Sequence, residues 1–132
     1  MNRQANRVAK GEMIYPDLSY RVVGCALAVY RELGFGFLEK VYENALMVAL
    51  HQAGLHALQQ VSIEVPFRDV IVGRYTADIV VEEKILLELK SCDDISPAHM
   101  AQTLNYLKAT GLRLGVVLNL AKGDMHFRRV VL

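Results

Sequence analysis

The stretch from Asp78 to Lys90, with the sequence DIVVEEKILLELK, constrains the fold more than any other part of the chain. Short runs of β-branched and aliphatic residues flank a charged turn, and this pattern predicts a β-hairpin. If the turn consists of residues 82–84, one side of the hairpin is wholly apolar, and Asp78 faces Glu88 on the other side, next to Lys90. The apolar pairs are then Val81 with Ile85, Ile79 with Leu87, and Ala77 with Leu89. A turn shorter by one residue would set Asp78 against an apolar partner, and burial penalises such a shift of register strongly.

The predicted register brings two like charges together. Directly opposed residues have Cβ atoms roughly 5 Å apart, and opposed like charges destabilise a sheet. At an effective dielectric constant of about 20, two carboxylates at about 5 Å repel each other by about 3 kcal/mol. A hard divalent cation such as Mg²⁺ would offset this repulsion, because it prefers carboxylate oxygens. The alternative is an exposed sheet face on which Glu88 and Lys90 form an ordinary ion pair.

Length and composition indicate a single globular domain. The chain has 132 residues, of which 53% are hydrophobic and 22% are charged. Residues 1–12 are polar and lack periodicity, so we expect a flexible N-terminal arm followed by one domain over residues 13–132. The net charge is only +1, so any binding of a polyanion must depend on a local patch rather than on the global field.

Cysteine usage and hydropathy bear on where the protein works. Cys25 and Cys92 lie far apart and form no Cys-x-x-Cys pair, which suits a reducing compartment. We therefore expect a cytoplasmic location. The sequence contains no signal-peptide pattern and no long apolar span, so we expect no membrane partner.

The order of helical and extended patterns predicts an α/β (α+β) fold with a mixed central sheet flanked by helices. The run Leu114–Leu120 is continuously apolar, which is typical of a strand buried on both faces. The third helix joins the third and fourth strands, so those strands should be parallel through a right-handed crossover. The predicted helices span about residues 17–32, 38–53 and 97–110, and the predicted strands about residues 61–67, 71–81, 85–90, 114–120 and 127–132.

Two of the predicted helices have assignable faces. The core stripe of the second helix is predicted to consist of Leu38, Val41, Ala45, Val48 and Ala49. The third helix carries a polar stripe of His99, Gln102 and Tyr106, which are spaced three and four residues apart. A solvent-exposed face explains such a stripe as well as a function does. Because this helix directly follows the strand that ends at Lys90, the stripe could instead border the same site.

The segment Gly36-Phe37-Leu38-Glu39-Lys40-Val41-Tyr42 resembles the pattern that gives the GxxExxY protein family its name, and that family is grouped with the PD-(D/E)XK nuclease superfamily. The resemblance extends from about Met13 to Leu132. It implies a single PD-(D/E)XK nuclease-like domain with a restriction-endonuclease-like core, αβββαβ, extended by an N-terminal helix and a C-terminal strand. Ala77 stands where the superfamily pattern has proline, a substitution that is tolerated widely. The other matching segments are Ala77-Asp78, Glu88-Leu89-Lys90 and residues 102–111.

The resemblance also implies roles for individual residues. Asp78 and Glu88 would bind Mg²⁺ or Mn²⁺, with the backbone carbonyl of Leu89 as a third ligand. Lys90 would orient or deprotonate the attacking water, or stabilise developing negative charge. Neighbouring carboxylates favour charged lysine, and hence the electrostatic role. The remaining implied residues are Glu39, which would complete the metal shell through water, Gln102, which would border the catalytic centre, and Tyr106 and His99, which would contact substrate.

The leading hypothesis is a metal-dependent endo- or exonuclease that hydrolyses phosphodiester bonds of nucleic acid, with DNA favoured over RNA. Nucleic acid is therefore the expected partner, and a homodimer would supply one site for each strand of a duplex. The second hypothesis is a non-catalytic module that binds nucleic acid or protein, which the near-neutral net charge favours slightly. In the third hypothesis, the carboxylates of Asp78 and Glu88 are structural only.

Overall fold

The strands of the sheet follow one another in chain order. The elements are α1 (Pro16–Leu33), α2 (Glu39–Gln52), β1 (Ala57–Phe67), β2 (Val70–Val81), β3 (Ile85–Lys90), α3 (Pro97–Thr110), β4 (Leu114–Ala121) and β5 (Asp124–Val131). The computed structural model describes residues 14–132, and the predicted arm at residues 1–12 lies outside the described residues. Strands β3 and β4 pair in parallel, and the other neighbouring strands are antiparallel. The predicted mixed sheet and the αβββαβ core, with α1 and β5 as additions, are therefore confirmed.

Helices cover both faces of the sheet, and each face has its own apolar cluster. Helices α1 and α2 pack on one face with Ile79 and Leu87, whereas α3 packs on the other with Val80 and Val117. Every residue of β4 is buried, because this strand is covered on both faces. The prediction from its continuous apolar run is confirmed. Within residues 14–132, no helix is both long enough and apolar enough to span a membrane.

The β2–β3 hairpin has the predicted register around its turn, which consists of residues 82–84. Its observed pairs are Val81 with Ile85, Val80 with Leu86, and Ile79 with Leu87. The ladder ends there, so the predicted pairing of Ala77 with Leu89 was wrong. Leu89 packs in the cluster beneath α1 and α2, while Ala77 packs in the cluster beneath α3. Beyond the ladder, side-chain carboxylates, described below, accept backbone N–H groups of the opposite strand.

Helix α2 is rotated relative to its predicted orientation. Val41 and Val48, which were predicted to lie in the core, are 39% and 55% exposed, and Leu38 is 79% exposed. Ala45 and Ala49 are half-buried. The predicted core stripe of α2 was therefore wrong, because it lies on a different side of the helix from the buried residues. The buried residues of this helix are Tyr42, Glu43, Leu46 and Leu50.

Tyr42 explains the orientation of α2. Its ring is buried, and its hydroxyl donates to the carbonyl of Gly34 and accepts the N–H of Phe37 at 3.2 Å. A buried tyrosine needs such partners for its hydroxyl, and here they come from the loop that precedes the helix. The tyrosine of the GxxExxY segment therefore fixes the loop between α1 and α2.

Helix α3 is fixed at its start and along its length. Ser96 Oγ accepts the N–H of His99 at 3.2 Å, and the Ser96 N–H donates to His99 Nδ1 at 3.1 Å. This capping box satisfies N–H groups at the start of the helix. Farther along, a Cβ on Gly115 of β4 would lie only 2.6 Å from Thr103 Cγ2. The absence of a side chain at Gly115 thus lets α3 pack directly on β4, next to β3.

Candidate active site

Asp78 and Glu88 lie where β2 and β3 separate. Glu88 Oε2 accepts the backbone N–H of Asp78 at 2.9 Å, and Asp78 Oδ2 accepts the backbone N–H of Leu89 at 2.8 Å. Each carboxylate thus binds the backbone of the opposite strand, beyond the last ladder pair. These reciprocal hydrogen bonds fix both side chains and hold them next to each other.

Burial and mutual repulsion make the protonated forms of these acids more favourable. Glu88 is only 4% exposed. Burial first, and then the charge of Asp78, raise the pKa of Glu88 to about 7. The pKa of Asp78 is also raised, chiefly by burial. The site therefore holds more negative charge at neutral pH than its surroundings stabilise, which is the condition under which a bound cation is favourable.

Lys90, Gln102 and Tyr106 lie beside the carboxylate pair. Lys90 Nζ donates to Gln102 Oε1 at 3.5 Å, and the Lys90 charge lowers the pKa of both Asp78 and Glu88 in part. Tyr106 is 7% exposed. Its pKa is raised by burial and then by the charges of Glu88 and Asp78, so its phenol lies within their electrostatic reach.

Glu39 and His99 occupy different surroundings. Glu39 is exposed in the first turn of α2, and it is not among the charges that shift the pKa values of Asp78 and Glu88. His99 uses Nδ1 in the capping box of α3. Because Ser-x-x-His has the spacing of a capping box with histidine in place of Glu or Gln, the sequence carried a signal for this structural role.

Glu43 and Gln60 belong to the same neighbourhood, although sequence analysis did not identify them. Glu43 is 4% exposed on α2, and its charge raises the pKa of both Asp78 and Glu88. Gln60 of β1 donates to Glu43. A correct assignment of the buried side of α2 would have revealed Glu43, because Glu43 lies next to Tyr42 on that side. Gln60 carries no local signal, since its role depends on how β1 meets α2.

The order of the helices and strands and the paired carboxylates of Asp78 and Glu88 agree with one superfamily of enzymes. A sequence model of the PD-(D/E)XK nuclease superfamily matches residues 16–130. The chain belongs to the PD-(D/E)XK nuclease superfamily. Among curated proteins, no sequence matches this chain significantly.

Solved structures with a similar fold include an exonuclease. The alkaline exonuclease LHK-Exo from Laribacter hongkongensis superposes with a TM-score of 0.53 at 12% sequence identity, over 91% of this chain and 71% of that one. The crystal structure of SSO0001 gives a TM-score of 0.54 at 18% identity, over 70% of this chain and 48% of that one. The chain therefore spans about half the length of SSO0001. These similarities concern the fold.

The donor groups of the site suit the divalent metal ions that PD-(D/E)XK nucleases generally use. Glu88 accepts the Asp78 N–H through Oε2, and within the described part of the chain its other oxygen, Oε1, has no hydrogen-bond donor. A buried, unpaired carboxylate oxygen is costly, and a hard cation would satisfy it. Among residues 14–132, however, no three His, Cys, Asp or Glu side chains lie close enough together to form a complete metal-binding group. The residues that suit a cation are therefore the pair of acids Asp78 and Glu88, with a third acid, Glu43, nearby.

Proposed function

We propose that this chain is a metal-dependent nuclease of the GxxExxY family that uses Mg²⁺ or Mn²⁺ to hydrolyse phosphodiester bonds, with DNA as the favoured substrate. The observation that carries the proposal is the pair of carboxylates of Asp78 and Glu88, fixed at the separated end of β2 and β3 with Lys90 beside them. This arrangement fits the membership of the PD-(D/E)XK nuclease superfamily.

In this proposal, Asp78 and Glu88 bind the cation through oxygens that the backbone does not occupy, and the carbonyl of Leu89 adds a third ligand. Bound there, a divalent cation would neutralise charge on the phosphate and activate a water molecule. The two acids are held by hydrogen bonds to opposite strands, so they need little rearrangement when the cation binds. Such prior fixation of ligands favours binding.

Lys90 acts on the substrate in this proposal. Its ammonium group lies beside Gln102 Oε1, which limits the directions in which Lys90 Nζ points. A positive charge fixed near the scissile phosphate stabilises the negative charge that develops in the transition state. Tyr106 borders the bound substrate from α3, and a contact of His99 with substrate stays a prediction.

A third acid from α2 completes the proposed site. The charge of Glu43 reaches Asp78 and Glu88, so Glu43 is a candidate for this position beside Glu39, the residue that the family resemblance implies. A cytoplasmic location and a homodimer with one site for each strand also stay predictions.

A cleavage assay tests the proposal. Plasmid, linear duplex, single-stranded DNA and RNA are each incubated with the protein in Mg²⁺, Mn²⁺ or EDTA, beside Lys90→Ala protein purified identically. We expect metal-dependent cleavage of DNA that falls at least about 100-fold in the variant, because a group that stabilises transition-state charge is lost. Equal cleavage by both proteins would reveal a contaminant.

The second candidate function is a nucleic-acid- or protein-binding module on the nuclease fold. It is favoured by the net charge of only +1, because a weak global field attracts nucleic acid poorly. Absence of cleavage for every substrate and metal would favour this module over the enzyme.

A further inference from the structure

Gln60 has an unusual backbone conformation at the edge of the candidate site. Its φ is +54°, a left-handed value that costs a residue with a side chain roughly 1–2 kcal/mol. The β1–β2 ladder pairs Gln59 with Ile79 and Val61 with Ala77, and it skips the intervening position, where Gln60 faces Asp78. Strained residues of this kind persist where the surrounding structure holds them, and they cluster at functional sites.

The side chain of Gln60 holds an acid that comes from a different element. Its Nε2 donates to Glu43 Oε1 at 3.1 Å and to Glu43 Oε2 at 3.0 Å. Asp78 lies across from Gln60, at the position that the ladder skips. A primary amide has two N–H donors and no charge. It can therefore hold both oxygens of the Glu43 carboxylate without replacing the cation that the site would bind.

We propose that Gln60 is a positioning residue for the cation site, whose amide holds the carboxylate of Glu43 in a fixed arrangement. The amide reaches Glu43 from the left-handed position that lies across from Asp78. This inference rests on the proposed function, because the arrangement matters only if the acids bind a cation. It adds a residue from β1 to a site otherwise built from α2, β2, β3 and α3.

The variant Gln60→Gly separates positioning from stability. Glycine removes the amide and also accepts a positive φ without strain, so the relief of strain offsets the loss of the hydrogen bonds to the buried Glu43. We expect Mn²⁺, measured by titration calorimetry, to bind about 10- to 100-fold more weakly, the usual effect of removing a group that orients a metal ligand. The Tm in EDTA should change little.

Gln59→Ala provides the matched control. Gln59 also donates to Glu43, and it donates to Asn44 Oδ1 at 2.6 Å, but it lies in the ladder opposite Ile79 rather than across from Asp78. We expect its loss to weaken Mn²⁺ binding less than about threefold, below the usual effect of an orienting group.

The possible results are distinguishable. Mn²⁺ affinity that is equal in Gln60→Gly and the original protein would overturn the positioning role and leave the proposed function standing. An equal loss of affinity in Gln59→Ala would overturn the specific role of Gln60. A fall in Tm that accompanies the loss in Gln60→Gly would assign Gln60 a structural role instead. Absence of Mn²⁺ binding by the original protein would overturn both the inference and the proposed function.

Discussion

The two ends of the β2–β3 hairpin use the same strands for opposite purposes. At the turn end, backbone hydrogen bonds form the ladder, and no residue of its pairs is more than 9% exposed. At the open end, the carboxylates of Asp78 and Glu88 bind the backbone of the opposite strand instead. The turn end therefore contributes apolar burial, whereas the open end holds charge in a buried place.

This contrast shows how a short strand can combine stability with a reactive site. Glu88 is buried in the same strand as Leu87 and Leu89, which are apolar and fully or almost fully buried. The raised pKa of Glu88 is a direct result of that burial. We infer that the apolar end of the hairpin stabilises the fold enough to keep the charged end in a conformation that it would not adopt alone.

The largest expected effect on stability comes from a substitution at the turn end of the hairpin. Ile85→Ala removes a fully buried side chain that pairs with Val81 and with Leu114 of β4, so the free energy of unfolding should fall by about 2–5 kcal/mol. Urea unfolding at pH 7 measures the change. If the two ends act independently, Mn²⁺ affinity of the folded variant stays within about threefold of the original, well inside the effect of losing a metal ligand. A larger loss of affinity would show that the apolar end also shapes the site.

The next effect concerns the charge at the open end. The pKa of Glu88 is raised from 4.5 to about 7 in the folded state. The folded protein therefore binds a proton more tightly than the unfolded chain does, and this contribution to stability is present below pH 4.5 and disappears as the pH rises through 7. Asp78, whose pKa is also raised, acts in the same direction. In EDTA, we expect Glu88 to make the protein more stable at pH 5 than at pH 8 by on the order of 2 kcal/mol.

Glu88→Gln isolates that contribution. The variant should lose most of the difference between pH 5 and pH 8, and it should be more stable than the original protein at pH 8, because a buried charge has been removed. It should also fail to bind Mn²⁺ in calorimetry. A variant with an undiminished pH dependence would place the titrating group elsewhere. Higher stability combined with unchanged metal binding would instead make the carboxylate purely structural.

Local patterns in the sequence predicted the features that depend on neighbouring residues. The turn at residues 82–84, the buried strand β4 and the start of α3 at Ser96 were all recognisable, because each depends on a contiguous stretch of chain. The hairpin register placed Asp78 opposite Glu88 and next to Lys90, the family resemblance added Gln102, and the structure brings these residues together.

Features that depend on contacts between distant elements could not be predicted. Helix α2 has apolar residues on more than one side, and its true phase depends on the hydrogen bonds of Tyr42 to the preceding loop. The β2–β3 ladder ends before Ala77, where the carboxylates of Asp78 and Glu88 accept backbone N–H groups of the opposite strand. Gln60 became recognisable only once β1 met α2 and β2, because nothing in its own sequence neighbourhood indicates a left-handed conformation.

A smaller effect tests which acid of α2 serves the open end. Glu43→Gln should weaken Mn²⁺ binding by about tenfold, because an acid near the site is lost, while Glu39→Gln should leave the affinity unchanged. Both variants remove one charge from the same helix, so each controls for the other. Calorimetry measures affinity, and thermal unfolding in EDTA shows whether Glu43→Gln also destabilises the packing of its partners Lys40 and Gln60. The opposite result would assign the third acid to Glu39, as the sequence predicted.

The smallest expected effect lies at the turn itself. Glu82 and Glu83 have φ values of +54° and +56°. Glu83 is exposed, whereas the side chain of Glu82 accepts the His56 N–H at 2.6 Å and should be kept. Glu83→Gly removes a left-handed cost of roughly 1–2 kcal/mol and increases the entropy of the unfolded chain by about 0.4–1 kcal/mol. Unfolding in urea should therefore show a gain of about 0.5 kcal/mol, with Mn²⁺ affinity unchanged.

Glu83→Ala distinguishes backbone strain from charge repulsion at this turn. Alanine removes the charge but retains the Cβ that makes a positive φ unfavourable. If strain dominates, only the glycine variant gains stability. If the two variants gain equally, repulsion between Glu82 and Glu83 is the cause. The turn end would then contain the same conflict of like charges as the open end, but on an exposed surface where solvent screens it and no cation is needed.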